Sequence, residues 1–173
     1  LKQVWRQRRF NNKYLQPKLD LYRSNNDGSL TEKDLIKITD YYALGVSGIL
    51  GTSFCILRGY KIKLAERKAI SYLGGISGLL DDLFDNTSKE TRGLRDFILT
   101  PQEMKPNNDQ EGLLLSLYTE GLNESSRPEK VQEMALNVFK AQQESLKQKD
   151  KSITNSELEK ITFAKGGSSF LYY

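Results

Sequence analysis

Hydrophobic residues recur along most of the chain at the three- and four-residue spacing of amphipathic helices. Only four prolines occur, and long stretches contain no turn signal. The pattern therefore predicts an all-α protein, a helical bundle, within a single domain. In that domain, residues 1–30 form N-terminal helices and residues 31–173 form the core helices.

Helix start and stop signals divide the chain further. The expected helical stretches are 1–24 with a break near Pro17, 31–57, 61–85, 92–99, 109–121, 128 to about 150, and a last one after 152. Thr31 should cap the second stretch, and Arg58-Gly59 should form the corner that follows it. Gly166-Gly167 is expected to kink or loosen the last helix.

The first helix combines two faces. Its expected apolar stripe consists of Val4, Trp5, Phe10 and Tyr14, and its outward-facing cations are Lys2, Arg6, Arg8, Arg9 and Lys13. Such a cationic cluster suits an acidic surface or a lipid headgroup, although a solvated helix face is the more common outcome.

Glycine is concentrated in the second and third stretches, at Gly45, Gly48, Gly51, Gly74, Gly75 and Gly78. Each costs about 1 kcal/mol of helix stability relative to alanine. Their number indicates either close approach of helix backbones or room beside a cavity, and the pattern leaves both open.

Composition excludes several classes of function. The chain has no histidine, which rules out histidine acid–base catalysis, Ser-His triads and His-ligated zinc. A net charge of +4, with basic and acidic residues interspersed, argues against nucleic-acid binding.

Compartment and membrane association follow from the single cysteine and the uncharged stretch 41–57. Cys55 lies in an apolar run and is expected to be a buried structural thiol, which fits a reducing, cytoplasmic location. The stretch 41–57 is at the lower limit for a membrane span, so we expect a core helix and no stable membrane insertion.

The segment 23–34 imitates a calcium loop. Asn25, Asp27 and Asp34 occupy ligand positions of an EF-hand, but Arg23 stands where the first carboxylate is required. A turn followed by a helix capped by Thr31, with Asp34 at its third position, explains the segment better.

Three carboxylates, Asp81, Asp82 and Asp85, end the apolar run 69–86. On one helix, Asp81 and Asp85 are i and i+4 neighbours, with Cβ atoms roughly 5–6 Å apart. A hard cation such as Mg²⁺ would relieve their repulsion. A solvated helix end is the alternative, and the residues alone leave the two interpretations open.

An Asp-Asp-x-x-Asp motif after a glycine-containing apolar helix, a later helical glutamine and a Lys-Gly-Gly segment together resemble the class I isoprenoid synthases. The nearest branch is the trans-prenyltransferases, the polyprenyl diphosphate synthases. The residues that carry the resemblance are Asp81, Asp82, Asp85, Gln142 (with Gln143 as an alternative register), Lys165 and Arg92-Gly93.

The resemblance covers about 41–173 and implies the N-terminal portion of the isoprenoid synthase fold. Lys165 is followed by Gly-Gly where the family usually has threonine. The family's Gly-Gly-Lys-Arg segment has no counterpart here, and its second aspartate-rich motif would fall beyond Tyr173.

The resemblance implies a cytoplasmic, Mg²⁺-dependent prenyltransferase or terpene-synthase type enzyme that ionises an allylic prenyl diphosphate. Asp81 and Asp85, assisted by Asp82, would hold the metal, and Lys165, Gln142 and Arg92 would bind the diphosphate. The apolar wall would include Tyr72, Ile76, Phe84 and Phe139. A homodimer is expected. The alternative is a degenerate, non-catalytic relative that serves as a helical interaction module.

Overall fold

The computed structural model describes residues 2–23, 27–86, 91–149 and 152–171, without the side chains of 46–47, 82–86, 91–92, 149 and 168–171. Every regular element in these ranges is a helix, which confirms the all-α prediction. The α-helices are α1 (Lys2–Tyr14), α2 (Gln16–Arg23), α3 (Glu32–Ile36), α4 (Leu50–Leu57), α5 (Leu64–Gly75), α6 (Ser77–Asn86), α7 (Thr91–Leu99), α8 (Asp109–Glu124), α9 (Pro128–Ser145) and α10 (Asn155–Leu171). A π-helical segment, Lys37–Ile49, joins α3 to α4, and short 3₁₀ turns cover Pro101–Glu103 and Leu146–Lys149.

Local capping explains where several helices begin and turn. Thr31 Oγ1 accepts a hydrogen bond from the Asp34 amide at 3.2 Å, and Asp34 Oδ2 accepts from the Thr31 amide at 3.0 Å. This capping box supports the structural interpretation of the calcium-like segment, of which residues 24–26 lie outside the described ranges. Gly59, with φ of 76°, forms the predicted corner after α4.

The prediction of one helix over 61–85 is wrong, because α5 and α6 are separated at Ile76. The Ser77 hydroxyl donates a hydrogen bond to the Gly74 carbonyl, and Gly74 and Gly75 weaken the helix just before the break. Ile76 itself is fully buried in the core. A separate helix, α6, therefore carries the aspartates.

Helix α8 supplies the centre of the core. Leu113, Leu114, Leu117 and Tyr118 are almost completely buried, and α8 packs against α5. Tyr118 stacks on Phe97 and donates its hydroxyl to the Ile98 carbonyl at 3.1 Å, which ties the end of α7 to the core. Burial raises the pKa of this hydroxyl far above its usual value.

The first helix buries Phe10 of its expected apolar stripe and half-buries Val4 and Tyr14, but Trp5 is 68% exposed. Gln7 and Asn11, which are polar, are buried beside Phe10. Gln7 Nε2 donates to Asn11 Oδ1 and to Ser71 Oγ, each at 2.8 Å. Arg67 donates to Gln7 Oε1 at 2.9 and 3.0 Å. These hydrogen bonds replace apolar packing between α1 and α5.

Several helical glycines lie in close contact with neighbouring side chains. At these positions the structure favours close packing over room beside a cavity. A Cβ atom would lie 2.3 Å from Gln7 Cδ at Gly48 and 2.6 Å from the Tyr42 ring at Gly78. Tight contacts also occur at Gly51 and Gly75, whereas a Cβ at Gly45 would meet no described atom within 4 Å.

Substituting alanine at two neighbouring glycines should therefore have opposite effects. We expect Gly48→Ala to lower the free energy of unfolding by about 1–3 kcal/mol, because hydrogen bonds hold the crowded Gln7 side chain in place. Gly45→Ala, the matched control, should be neutral or raise it by up to about 1 kcal/mol. Urea denaturation measures both, and equal effects of the two substitutions would contradict the packing assignment.

The continuous helix Glu32–Leu57 is long and apolar enough to cross a membrane, judged by length and composition only. One side of this helix is buried, as expected for a core helix, and carries Ala43, Leu44 and Cys55. On the other side, Phe54 and Leu57 are exposed. The helix thus presents an apolar surface away from the core.

Helix α10 packs against α9 and runs without interruption from Asn155 to Leu171. The predicted kink at Gly166-Gly167 is therefore wrong. Nothing described lies within 4 Å of a Cβ at either glycine, so no neighbouring element forces a bend there. Ile161 is buried, whereas Phe163 is 81% exposed.

Candidate functional site

The candidate site lies around Asp81, near the middle of α6. The Asp81 side chain is exposed, although it follows the buried Leu79 and Leu80. Asp85 lies one turn later on the same helix. The side chains of Asp82 and Asp85 lie outside the described part.

Gln142 on α9 contacts Asp81. Its side chain is only 8% exposed, and its Nε2 donates a hydrogen bond to Asp81 Oδ1 at 3.1 Å. The two residues are 61 positions apart in sequence, so tertiary packing alone creates this contact. Because Gln142 makes this bond, the structure places Gln142 rather than Gln143 beside Asp81.

Lys165 lies on α10, the helix that packs against α9. It follows the buried Ile161 by four residues, which places the half-buried Lys165 on the inward side of α10. Arg92 lies in the first turn of α7, and its side chain is outside the described part. The structure thus unites Asp81 with Gln142 and puts Lys165 on the adjacent helix.

A small cavity of about 60 Å³ lies beside Asp81. Its walls include Asp34 and Lys37 from the start of the long helix, and Tyr42 packed over Gly78. A cavity of this size holds one or two water molecules. Asp34, Lys37 and Tyr42 were not identified as site residues from the sequence. The only signal in the sequence is Gly78, whose lack of a side chain leaves room for the Tyr42 ring.

The donor set fits a hard divalent cation. Asp81 presents an exposed carboxylate, which suits a metal that prefers oxygen ligands and retains water. Among the residues whose side chains are described, no group of three or more acidic or cysteine side chains is arranged around a common point. The described portion places the carboxylates of Asp81 and Asp34 at the walls of the cavity.

The expected apolar wall is buried in the protein core where it is described. Tyr72 and Ile76 belong to the core cluster, and the Tyr72 hydroxyl donates to the Tyr14 carbonyl at 3.3 Å. Phe139 is partly buried against the same cluster, and the Phe84 side chain is outside the described part. Core packing thus accounts for Tyr72 and Ile76.

No protein-family model, curated protein or solved structure matches this chain.

Proposed function

We propose that this protein is an isoprenoid-synthase-like enzyme that binds an allylic prenyl diphosphate through Mg²⁺ at the Asp81 site. The observation that supports the proposal most directly is the Gln142–Asp81 hydrogen bond of 3.1 Å. Two residues singled out for one diphosphate site, far apart in sequence, meet in space. Bound Mg²⁺ would supply charge neutralisation for a departing diphosphate.

The residues have separate roles in this proposal. Asp81 and Asp85 hold the cation, with Asp82 assisting, while Gln142 orients the Asp81 carboxylate through its buried amide. Lys165, from the neighbouring helix, offers its ammonium to phosphate oxygens, and Arg92 offers a guanidinium. No step requires a proton to be moved by histidine, which the chain lacks.

A second candidate is a helical interaction module without catalysis, which self-associates. The observation that favours it is the exposed apolar surface of α10, where Phe163 is 81% exposed. Exposed aromatic side chains contribute to the contiguous apolar patches through which chains associate. The two candidates differ in whether the protein binds a diphosphate with Mg²⁺.

Calorimetry with a non-hydrolysable allylic diphosphate analogue tests the proposal, with and without Mg²⁺. Asp81→Asn removes the charge but keeps an oxygen for Gln142, and it should abolish Mg²⁺-dependent binding. Gln142→Leu should weaken binding about 10- to 100-fold, as expected for a group that positions a metal ligand. Asp96→Asn, at an exposed aspartate on α7, is the matched control and should bind like wild type.

Circular dichroism of each variant checks that the helices remain. Absence of Mg²⁺-dependent binding in the folded wild-type protein would reject the enzyme proposal. Sedimentation would then test the second candidate, the self-associating interaction module. Phe163→Ser should dissociate the self-associated form. A wild-type monomer over the whole concentration range would reject that second candidate.

A further inference from the structure

A second feature lies at the other end of α5, where an open groove of about 1120 Å³ separates α1 from the segment that leads into α5. Six cationic side chains line it: Arg6, Arg9, Lys13, Lys61, Lys63 and Arg67. None of the described residues that line it is acidic. Sequence reasoning found only the part of this cluster that lies on α1.

In the part of the chain that the structure describes, the cations of the groove differ from Lys68 and Lys18 in having no carboxylate partner at ion-pair distance. Lys68, next to Arg67, pairs with Glu124 at 2.5 Å, and Lys18 pairs with Glu120 at 2.6 Å. Within the described ranges, no carboxylate lies at ion-pair distance from any cation of the groove. Glu66, the nearest acidic residue in sequence, accepts a hydrogen bond from the Lys63 amide at 2.9 Å.

Arg67 shows how this groove is built. Its guanidinium hydrogen-bonds to the neutral amide oxygen of Gln7 and lies 4.5 Å from the Phe10 ring centroid. Burial and the neighbouring Arg6 lower the pKa of Arg67. A half-buried guanidinium held by neutral groups and facing another arginine is stabilised when an anion binds beside it.

One wall of the groove is apolar and exposed. Ile56, Tyr60 and Leu64 line it, and each exposes about half or more of its surface. Leu57, which follows Ile56, and Trp5, which precedes Arg6, are also exposed. Clustered cations next to an exposed apolar wall match a ligand that carries both phosphate and hydrocarbon.

The groove is separate from the Asp81 site. Arg67 lies in the first turns of α5 and Asp81 lies in α6, so at about 1.5 Å per helical residue they are roughly 20 Å apart along the two helices. A ligand in the groove therefore does not reach Asp81 with its phosphate group.

We propose that this groove binds a phosphate-bearing amphiphile, with phosphate oxygens against Lys61, Lys63 and Arg67 and hydrocarbon against Ile56, Tyr60 and Leu64. Arginine and lysine donate charge-assisted hydrogen bonds to phosphate oxygens. The same chemistry occurs in a free alkyl phosphate and in the headgroup region of an anionic bilayer. This proposal does not depend on the function proposed for Asp81.

Two arms of one experiment test it, both in EDTA so that Mg²⁺ at Asp81 does not contribute. Calorimetry compares hexyl phosphate with inorganic phosphate, and co-sedimentation compares phosphatidylcholine vesicles with and without phosphatidic acid. We expect binding in at least one arm, with hexyl phosphate preferred over inorganic phosphate, or phosphatidic acid vesicles over neutral ones. Binding of hexyl phosphate identifies a free ligand, and binding of vesicles alone identifies a headgroup.

The double variant Lys61→Gln/Lys63→Gln should weaken this binding roughly tenfold or more. Arg8→Gln/Lys130→Gln is the matched control, because it removes the same charge at residues outside the groove that pair with Asp40 and Glu133. It should bind like wild type. Absence of binding in both arms, or equal weakening by the two double variants, would overturn the proposal.

Discussion

Gln7→Leu is expected to lower the free energy of unfolding by about 3 kcal/mol. Leucine has a similar size, so the loss arises from hydrogen bonding rather than from a cavity. Asn11 and Ser71 each lose a buried partner, and Arg67 loses the oxygen that accepts two of its hydrogen bonds. A buried group left without its partner costs about 1–3 kcal/mol, and more if charged.

Urea denaturation followed by circular dichroism measures this loss. Gln3→Leu is the matched control, because Gln3 lies one turn earlier on the same helix and is only half-buried. It should change the free energy of unfolding by less than about 0.5 kcal/mol. If Gln7→Leu were as stable as wild type, the polar contact between α1 and α5 would contribute nothing to the fold.

Leu117→Ala is expected to cost about 3–4 kcal/mol, the upper part of the range for a fully buried leucine. Leu117 lies at the centre of the core cluster on α8, and α8 packs against α5, α6 and α9. The helices around it cannot all move inward to fill the volume of the lost atoms. The residual cavity therefore adds to the loss of apolar burial.

Thermal denaturation compares this variant with Leu158→Ala on α10, whose side chain is 39% exposed. The control should cost less than about 1 kcal/mol, because little surface is removed from the core. Similar melting temperatures for the two variants would show that α8 is not the centre of the core. A lower melting temperature for Leu117→Ala but not for Leu158→Ala would confirm that α8 lies at the centre of the core.

Helices could be predicted from sequence wherever local signals are strong. Thr31 with Asp34 and Thr154 with Glu157 form capping hydrogen bonds near the positions that their spacing indicated. The break at Ile76 was not predicted, because glycines such as Gly74 and Gly75 weaken a helix without fixing where it ends, and the Ser77–Gly74 hydrogen bond is visible only in the structure. The continuity of α10 at Gly166 could not be predicted either. It depends on the surroundings of that residue, where no described atom lies within 4 Å of a Cβ.

For the candidate site, the sequence indicated which residues to consider, and the structure showed which of them lie close together. The spacing of the carboxylates indicates the aspartates and a family resemblance adds Gln142, whereas the 3.1 Å contact depends on how α9 packs near α6. The lining residues Asp34 and Lys37 lie far from Asp81 in sequence. Nothing local to them indicates a cavity.

The sequence by itself determined the helical class, most helix boundaries and the lack of histidine chemistry, because periodicity, capping and composition act within a few residues. Only the tertiary structure decided that Gln7 is buried while Trp5 is exposed, since burial depends on the facing helix. Only the tertiary structure also brought Lys61, Lys63 and Arg67 beside the cations of α1. Like charges from separate elements meet there because the hydrogen bonds that join α1 to α5 and the packing of α1 on the π-helical segment outweigh their repulsion.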